Sequence, residues 1–521
     1  MKLLGIYDDL SSAQTALADL QAAGIDPRFL TLAGGGEPKS SAWKKSLAWG
    51  GAAGVAASLL LPGGGHVLLA GHLARAAALH VVGVTAKAAA TGAAAGSAVG
   101  WLRNAGLHRL ALKEVRAALA AKRFALLIKS DWLTQQRAAQ VLAQPPEPRL
   151  LALVERYGWE HQSFLSLYDG MKVWWTQEPE AAVVYRRIGS VVIVTATPLA
   201  AREDWRAVTL RFLDWCKTQN LDCLMLPVGA DFADVARECG MALLRIGESG
   251  YFKLPEWKPA GDRAKKVRAG VNQARKAGMR VERFDPAQGT AHGDAAVRAE
   301  IEALCQRWVN TREVDAFGWL LELDPFKLSE HKRYFLARDA AGRLTGLLVC
   351  SPIYARHGWY LEDLIRHPQA ERGVSELLVV EALQQLAAEG AQVATLATSP
   401  LAGIDPAEYT GQLKQLARLL KLIYEHLDAF YHFKALHRFK AKFAPSFVEP
   451  EYVAIYPPRV RLRMITSFMG ALDPAGFTGV FASKLQRLWR EMQSHGTTSA
   501  ESTRFDNPGV TPRLPVQADG E

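Results

Sequence analysis

The chain reads as an α/β protein of two similar-sized lobes preceded by a small α+β domain. Three observations predict this. Across residues 146–455, strand-like apolar runs alternate with helical stretches, the pattern that lays helices on a sheet. Residues 1–40 and 112–128 hold the two halves of a split β-α-β unit. The length of 521 residues, with 49% hydrophobic and 22% charged side chains, is ordinary globular composition and leaves room for roughly three to four domains.

The elements follow in order. Leu3-Leu4-Gly5-Ile6-Tyr7 is a short apolar run, and Ser11 and Ser12 are placed to cap a helix in which Ala13, Leu17 and Leu20 recur at helical spacing. Gly24 ends that helix, and Phe29–Leu32 reads as a second strand. Residues 112–122 are helical and Phe124–Ile128 is a strand, which completes a ferredoxin-like domain over 1–145. Between its halves lies an Ala/Gly-rich insert, 43–103, read as helical. Residues 46–74 carry no charge, and Lys44, Lys45 and Arg103 bracket the insert. Gly92, Gly96 and Gly100 form a ladder that lets helices approach closely in lipid. Against spanning, Pro62-Gly63-Gly64-Gly65 breaks the run and Arg75 and Lys87 interrupt the rest. A membrane hairpin and a soluble, self-associating helical pair both fit.

The first lobe is assigned to 146–290, with strands at Val183–Tyr185, Val191–Val194 and Leu224–Pro227 and a helix at 203–219. The second is assigned to 291–460, with strands at Leu344–Val349, Tyr360–Leu364 and Val393–Ala397 and helices at 298–312, 374–388 and 411–429. A helical segment is placed at 461–494. Residues 495–521, rich in Ser, Thr, Pro and acids, read as a disordered tail.

Charge and cysteine use narrow the function. A net charge of +10 and a pI near 9.3 call for an anionic partner, either nucleic acid or a phospholipid surface. Cys216, Cys223, Cys239, Cys305 and Cys350 are an odd set with no CxxC pair, so neither a disulfide framework nor a zinc site is indicated. They read as reduced thiols of a cytosolic protein. The start MKLLGIYDDL lacks the charged and apolar regions of a secretory signal.

Three segments carry chemistry. Residues 261–285 hold eight Lys/Arg against three acids, and helical spacing puts Arg268, Asn272 and Arg275 on one face with Lys265 beside them. Such a face follows a phosphate backbone or rests on anionic headgroups. In residues 430–443 aromatics alternate with Lys and Arg, and no acid occurs between Asp428 and Glu449. In Trp359–Glu376 a strand bearing acids runs into a loop with Gly373 and then a helix, whose first amides suit an anion. Alternation along that strand sends Glu362 and Asp363 to opposite faces, so one of them faces a site.

These segments resemble the C-terminal synthase domain of the bacterial phosphatidylglycerol lysyltransferases, the multiple peptide resistance factor family. The resemblance rests on VRAGVNQARKAGMRVE (267–282), LEDLIRHPQAERGVSELLV (361–379), LATSPLAG (396–403) and YHFKALHRFKAKFAP (431–445), supported by 211–228 and 237–254. It covers about 300 residues. It implies tandem acetyltransferase-like (GNAT-like) lobes and transfer of an aminoacyl group from charged tRNA to a phosphatidylglycerol hydroxyl. The products lower membrane negative charge, the basis of antimicrobial peptide resistance. Aminoacyl-tRNA is then a co-substrate, with no other cofactor or metal. The site implied is Asp363, binding the aminoacyl ammonium or orienting the nucleophile, and Glu376, capping its helix or acting in the site. Arg366, Lys440 and Lys442 would hold the lipid phosphate, and Lys265, Arg268, Arg275 and Lys276 the tRNA. His432 and His437 are weaker candidates for proton shuttles.

Two departures stand out. The sequence reads as the small domain, which weakly resembles bacterial stress-protein domains, where the resemblance leads one to expect the family's usual multi-span region. A Gly-Asp-Pro turn reads Ala196-Thr197-Pro198. The location expected is the cytoplasmic face of the bacterial inner membrane, peripheral or hairpin-anchored. The competing functions are a non-catalytic stress protein bound to anionic membranes and an acyl-CoA-dependent acyltransferase, the latter opposed by a missing loop glycine.

Overall fold

The computed structural model describes residues 1–35, 57–60, 66–71, 102, 107, 109–121, 123–143, 145–286, 291–311, 323–426 and 433–472. The glycine ladder at 92–100, His432 and the tail at 495–521 lie outside them.

The amino-terminal domain runs β1 (Lys2–Tyr7), α1 (Leu10–Ala22), β2 (Leu30–Gly35), β3 (Ala57–Leu60), β4 (His66–Gly71), α2 (Arg109–Ala120), β5 (Phe124–Ile128). The sheet order is β1-β5-β2-β4-β3. β5 fills the gap between β1 and β2, antiparallel to both, so the β-α-β unit is split as expected. Residues 57–60 and 66–71, expected within a helical insert, instead form a β-hairpin that extends the sheet beside β2. Their Val- and Leu-containing runs flank the Pro62–Gly65 breaker, and β4 pairs with the edge of β2 while β3 pairs with β4. Asp9, rather than Ser11 or Ser12, caps α1, accepting the Ser12 amide at 2.8 Å. Both faces of the sheet are covered. Phe124, Leu126 and Ile128 pack under α1, and Ala125 and Leu127 pack under α2.

A linking helix, α3 (Trp132–Leu142), and α4 (Pro148–Tyr157) lead into the first lobe: β6 (Lys172–Thr176), β7 (Ala181–Ile188), β8 (Val191–Thr195), α5 (Trp205–Thr218), β9 (Asp222–Val228), α6 (Ala230–Glu238), β10 (Ala242–Lys253). The second lobe comprises α7 (Lys265–Lys276), β11 (Arg280–Phe284), α8 (Ala291–Asn310), β12 (Arg333–Arg338), β13 (Leu344–Ile353), β14 (Gly358–Arg366), α9 (Val374–Ala388), β15 (Val393–Pro400), α10 (Gly411–His426), α11 (Phe433–Ala441) and β16 (Phe447–Tyr456). α12 (Leu462–Leu472) follows.

Among the described residues, the eleven strands of the two lobes form one sheet, β11-β12-β13-β14-β15-β10-β16-β9-β8-β7-β6. The pairs β8/β9 and β14/β15 are parallel, each joined by one crossover helix, and the other pairs are antiparallel. The same unit therefore occurs twice. The lobes also exchange their last strands: β10 lies beside β15, and β16 lies beside β9. This exchange places residues of both lobes in the middle of the sheet.

β14 and β15 pair only at Gly358–Tyr360 against Val393–Thr395. Beyond Tyr360 the strands part. On its other edge β14 bulges: Val349 opposes Asp363 while Cys350 opposes Leu361, so Glu362 is the extra residue. The bulge reverses side-chain alternation. Leu361 lies in the core under α9, whereas Ile365, four residues on, lies in the core under α8.

Candidate functional site

The parting of β14 from β15 and the exchange of β10 with β16 bring two buried charged groups together in the centre of the sheet. The first lies on the bulge. Lys332, fully buried, enters just ahead of β12 and places Nζ 3.2 Å from Glu362 Oε2. The same ammonium donates to Tyr168 Oη at 3.0 Å and to the Asp324 carbonyl at 3.4 Å. Tyr168 Oη donates to Glu362 Oε1 at 3.4 Å. Burial disfavours the Lys332 ammonium, but its acidic neighbours, Glu362 foremost, outweigh that and hold it above its ordinary value. Asp363 is pushed up to about 8, first by burial and then by the Glu362 charge, with Lys332 opposing and Asp324 adding to the rise. Alternation was expected to separate Glu362 from Asp363. The bulge instead gives them a common neighbour in Lys332.

The second group lies where the lobes exchange strands. His161 Nδ1 is 3.4 Å from Glu451 Oε1, which accepts the Ser249 hydroxyl at 2.5 Å. Thr398 also hydrogen-bonds this carboxyl group. Lys440 Nζ donates to the carbonyls of Thr398 at 2.6 Å and Ala397 at 3.1 Å. Burial pushes Lys440 down to about 8 against the Glu451 charge. Burial, then Lys440 and Arg356, takes His161 down to about 3, so its ring is neutral. Glu451 and Glu160 are both raised by burial. Glu160 accepts the Thr197 hydroxyl at 2.8 Å. Ala196, in the left-handed region at φ 64°, sets that turn, so the variant Ala-Thr-Pro sequence is matched by a hydroxyl aimed at a buried carboxyl. Arg356 pairs with both Glu449 oxygens at 3.0 and 2.8 Å and lies over the rings of Trp159 and Tyr251.

His161 Nε2, Glu451 Oε2 and Arg356 Nε are buried with no hydrogen-bond partner among the described residues. Glu362 Oε2 touches Lys332 without hydrogen-bond alignment. An unsatisfied buried polar atom costs about 1–3 kcal/mol. Such atoms clustered with shifted titrations make this region the candidate site. Among the described residues no group of His, Cys, Asp and Glu has the layout of a metal site.

The other expected residues divide. Arg366 is exposed at the end of β14, on the face of Leu364 and opposite that of Asp363. Glu376 does not cap α9. Gly373 is the cap, with no side-chain cap bond, and Glu376 binds Lys442 at 2.7 Å, tying α11 to α9. Lys442 also lies over Phe439 at 4.0 Å. On α7, Lys265, Arg275 and Lys276 are exposed, with Arg275 bound to Glu381 at 2.7 Å. Arg268 is turned back onto the carbonyls of Pro259 and Gly261, which leaves it less available to nucleic acid. His437 Nδ1 stands 3.8 Å from Glu248. Sequence reasoning missed Lys332, Tyr168, His161, Glu160, Ser249 and Glu451. The only signal was the return of acids at Glu449 and Glu451 after a long basic stretch.

The α9 N-terminus, considered above for anion binding, is covered. The Gly270 carbonyl of α7 comes within 2.0 Å of where a Gly373 Cβ would stand. The single loop glycine serves helix packing, which argues against a pyrophosphate site there.

The family model described as phosphatidylglycerol lysyltransferase, C-terminal, matches residues 151–455, more than half of the chain. The chain belongs to this family. Its synthase-type domain is 22% identical over 331 residues to a phosphatidylglycerol lysyltransferase of Bacillus subtilis, covering 62% of this chain and 37% of the relative. It is 24% identical over 330 residues to the lysylphosphatidylglycerol biosynthesis bifunctional protein LysX of Mycobacterium avium, covering 62% and 27%. The chain thus spans about a third of the length of curated relatives it matches. The fold is that of the C-terminal domain of a lysylphosphatidylglycerol synthetase from Agrobacterium fabrum, with TM-score 0.52, 18% identity, and coverage of 63% of this chain and 97% of that one. L-PGS from Bacillus licheniformis gives TM-score 0.51 at 15% identity, with coverage of 64% and 99%. Both buried charged groups lie inside the lysyltransferase-family segment, and the amino-terminal domain lies outside it.

Proposed function

We propose that this protein transfers an aminoacyl group from aminoacyl-tRNA to a hydroxyl of phosphatidylglycerol or a related anionic phospholipid, at the cytoplasmic face of a membrane. The observation that carries the reading is Asp363. Within a lysyltransferase-family domain, its carboxyl group is held near 8 beside the Lys332–Glu362 pair, on a bulge where the sheet opens. Among the described residues no helix is long and apolar enough to cross a membrane, so contact with lipid rests on the basic surfaces or on residues outside that set.

The step is a transesterification. The lipid hydroxyl oxygen bonds to the ester carbonyl carbon, the bond from that carbon to the ribose oxygen breaks, and the hydroxyl proton ends on the ribose oxygen. The ester is already activated, so the balance needs no further reactant. Arrival of a cationic α-ammonium favours the ionised form of Asp363, which then balances it. Lys440 has three N–H donors, and two are spent on carbonyls. The third is assigned to the lipid phosphate; Arg366, on the opposite face from Asp363, is not part of that assignment. The exposed cations of α7 are assigned to the tRNA acceptor stem.

The test is lipid extraction after mixing the protein with phosphatidylglycerol vesicles and tRNA charged with labelled amino acids, with and without ribonuclease. Ribonuclease-sensitive label in lipid, reduced at least about 10-fold by Asp363→Asn, is the expected result. Vesicle binding without label would refute catalysis and leave a lipid-binding protein. Label that survives ribonuclease would refute the tRNA donor.

A further inference from the structure

The amino-terminal domain reaches into the site through α3. Ala138 of this helix is part of that domain's core, and Lys2 Nζ contacts Gln136 Oε1 at 3.5 Å. Trp132 of the same helix packs into the core of the second lobe beneath α8. Gln306 of α8 accepts the Leu133 amide at 3.0 Å, and Arg137 pairs with Glu302 at 2.5 Å. At the end of the helix, Gln140 Nε2 donates to Asp324 Oδ1 at 3.0 Å. Asp324 is 5% exposed, and its carbonyl accepts the Lys332 ammonium. An unbroken series of contacts thus runs from the amino-terminal domain through Gln140, Asp324 and Lys332 to Glu362 and Asp363.

We infer that the amino-terminal domain completes the site, with Gln140 as a positioning residue that holds Asp324, and through it the Lys332 ammonium, against Glu362 and Asp363. The inference rests on assigning the function to the Asp363 cluster, and it gives a role to a domain outside the family segment. Gln140 is neutral, so it fixes the Asp324 carboxylate without cancelling its charge. The field at Asp363 then depends on that contact. Asp363 is faced by Glu362 on its own strand, by Lys332 and Asp324 from the segment before β12, by Cys305 of α8 and by Cys350 of β13.

The test uses the full chain labelled with [13Cγ]aspartate, the Asp363 resonance being identified by its loss in Asp363→Asn. Gln140→Glu adds a charge beside Asp324 and should move the Asp363 titration midpoint up by at least about half a pH unit. Gln140→Ala, which only removes the donor, should move it up by less. Gln140→Lys compensates Asp324 and should leave the midpoint unchanged or lower it. Midpoints that coincide in all three variants, or shift alike in Glu and Lys, would overturn the inference, even if thermal stability falls. The titration does not depend on turnover. An ordered set of shifts without lipid labelling would uphold the link to the amino-terminal domain and refute aminoacyl transfer. Labelling with unmoved midpoints would do the reverse.

Discussion

Replacing Asp363 with Asn should stabilise the protein, but only where the pH is high. In the folded chain this carboxyl group is carried from 3.8 to about 8. The native state therefore holds a proton that the unfolded chain has released throughout that interval. Because the folded value is raised, stability falls as pH rises from about 4 to about 8 and stays low above it. At about 1.4 kcal/mol per pH unit the ceiling on this loss is about 6 kcal/mol. Asp363 keeps some solvent exposure and can share its proton with Glu362, so roughly half of the ceiling, about 2–3 kcal/mol, is the expected value. Asn keeps the shape and cannot ionise. Urea unfolding of both proteins, followed by tryptophan fluorescence at a series of pH values, reads the difference. The curves should meet near about pH 4 and diverge progressively, with the variant ahead by about 2–3 kcal/mol near pH 9. Parallel curves, or a variant equally destabilised at both ends, would refute the argument. Either result would mean that Asp363 is ionised in the fold at neutral pH.

The remaining predictions follow from the same contacts. Lys332→Met removes the ammonium that faces Glu362 and Asp363, and should cost about 3–5 kcal/mol in urea unfolding near pH 9; a loss under about 1 kcal/mol would show that the acids are satisfied without it. Gly373→Ala must place a Cβ at φ 89° and within 2.0 Å of the Gly270 carbonyl. Backbone strain and displacement of α7 together predict a loss of roughly 2–5 kcal/mol, and a change in unfolding midpoint too small to measure would count against the close α7–α9 packing.

The parts legible in the sequence were those set by local pattern. Apolar runs such as Val191–Val194 and Leu344–Val349 are strands because both faces of the sheet are covered by helices, so their residues have no polar side to show. The basic helix at 265–276 was legible because Val267, Val271 and Ala274 recur at helical spacing and turn inward while the cations stay outside. The split β-α-β unit and the family resemblance were legible for the same reason: each rests on short contiguous segments. The insert was misread where Leu- and Ala-rich residues suit either helix or strand, and an adjacent strand edge decided between them.

What the sequence by itself determined is an α/β chain of two lobes, a basic surface and a short set of segments that place it among lysyltransferase-type domains. Only the tertiary structure decided which charges meet. Lys332 reaches Glu362 across thirty positions of sequence and Glu451 meets His161 across nearly three hundred, and no local signal encodes such pairs. The one-residue bulge at Glu362 redirects Asp363 toward Lys332, and the exchange of β10 with β16 builds the central group from both lobes. The physical reason is that burial makes a charge depend on its partners within a few ångströms, and those partners are chosen by strand register and order rather than by neighbours along the chain.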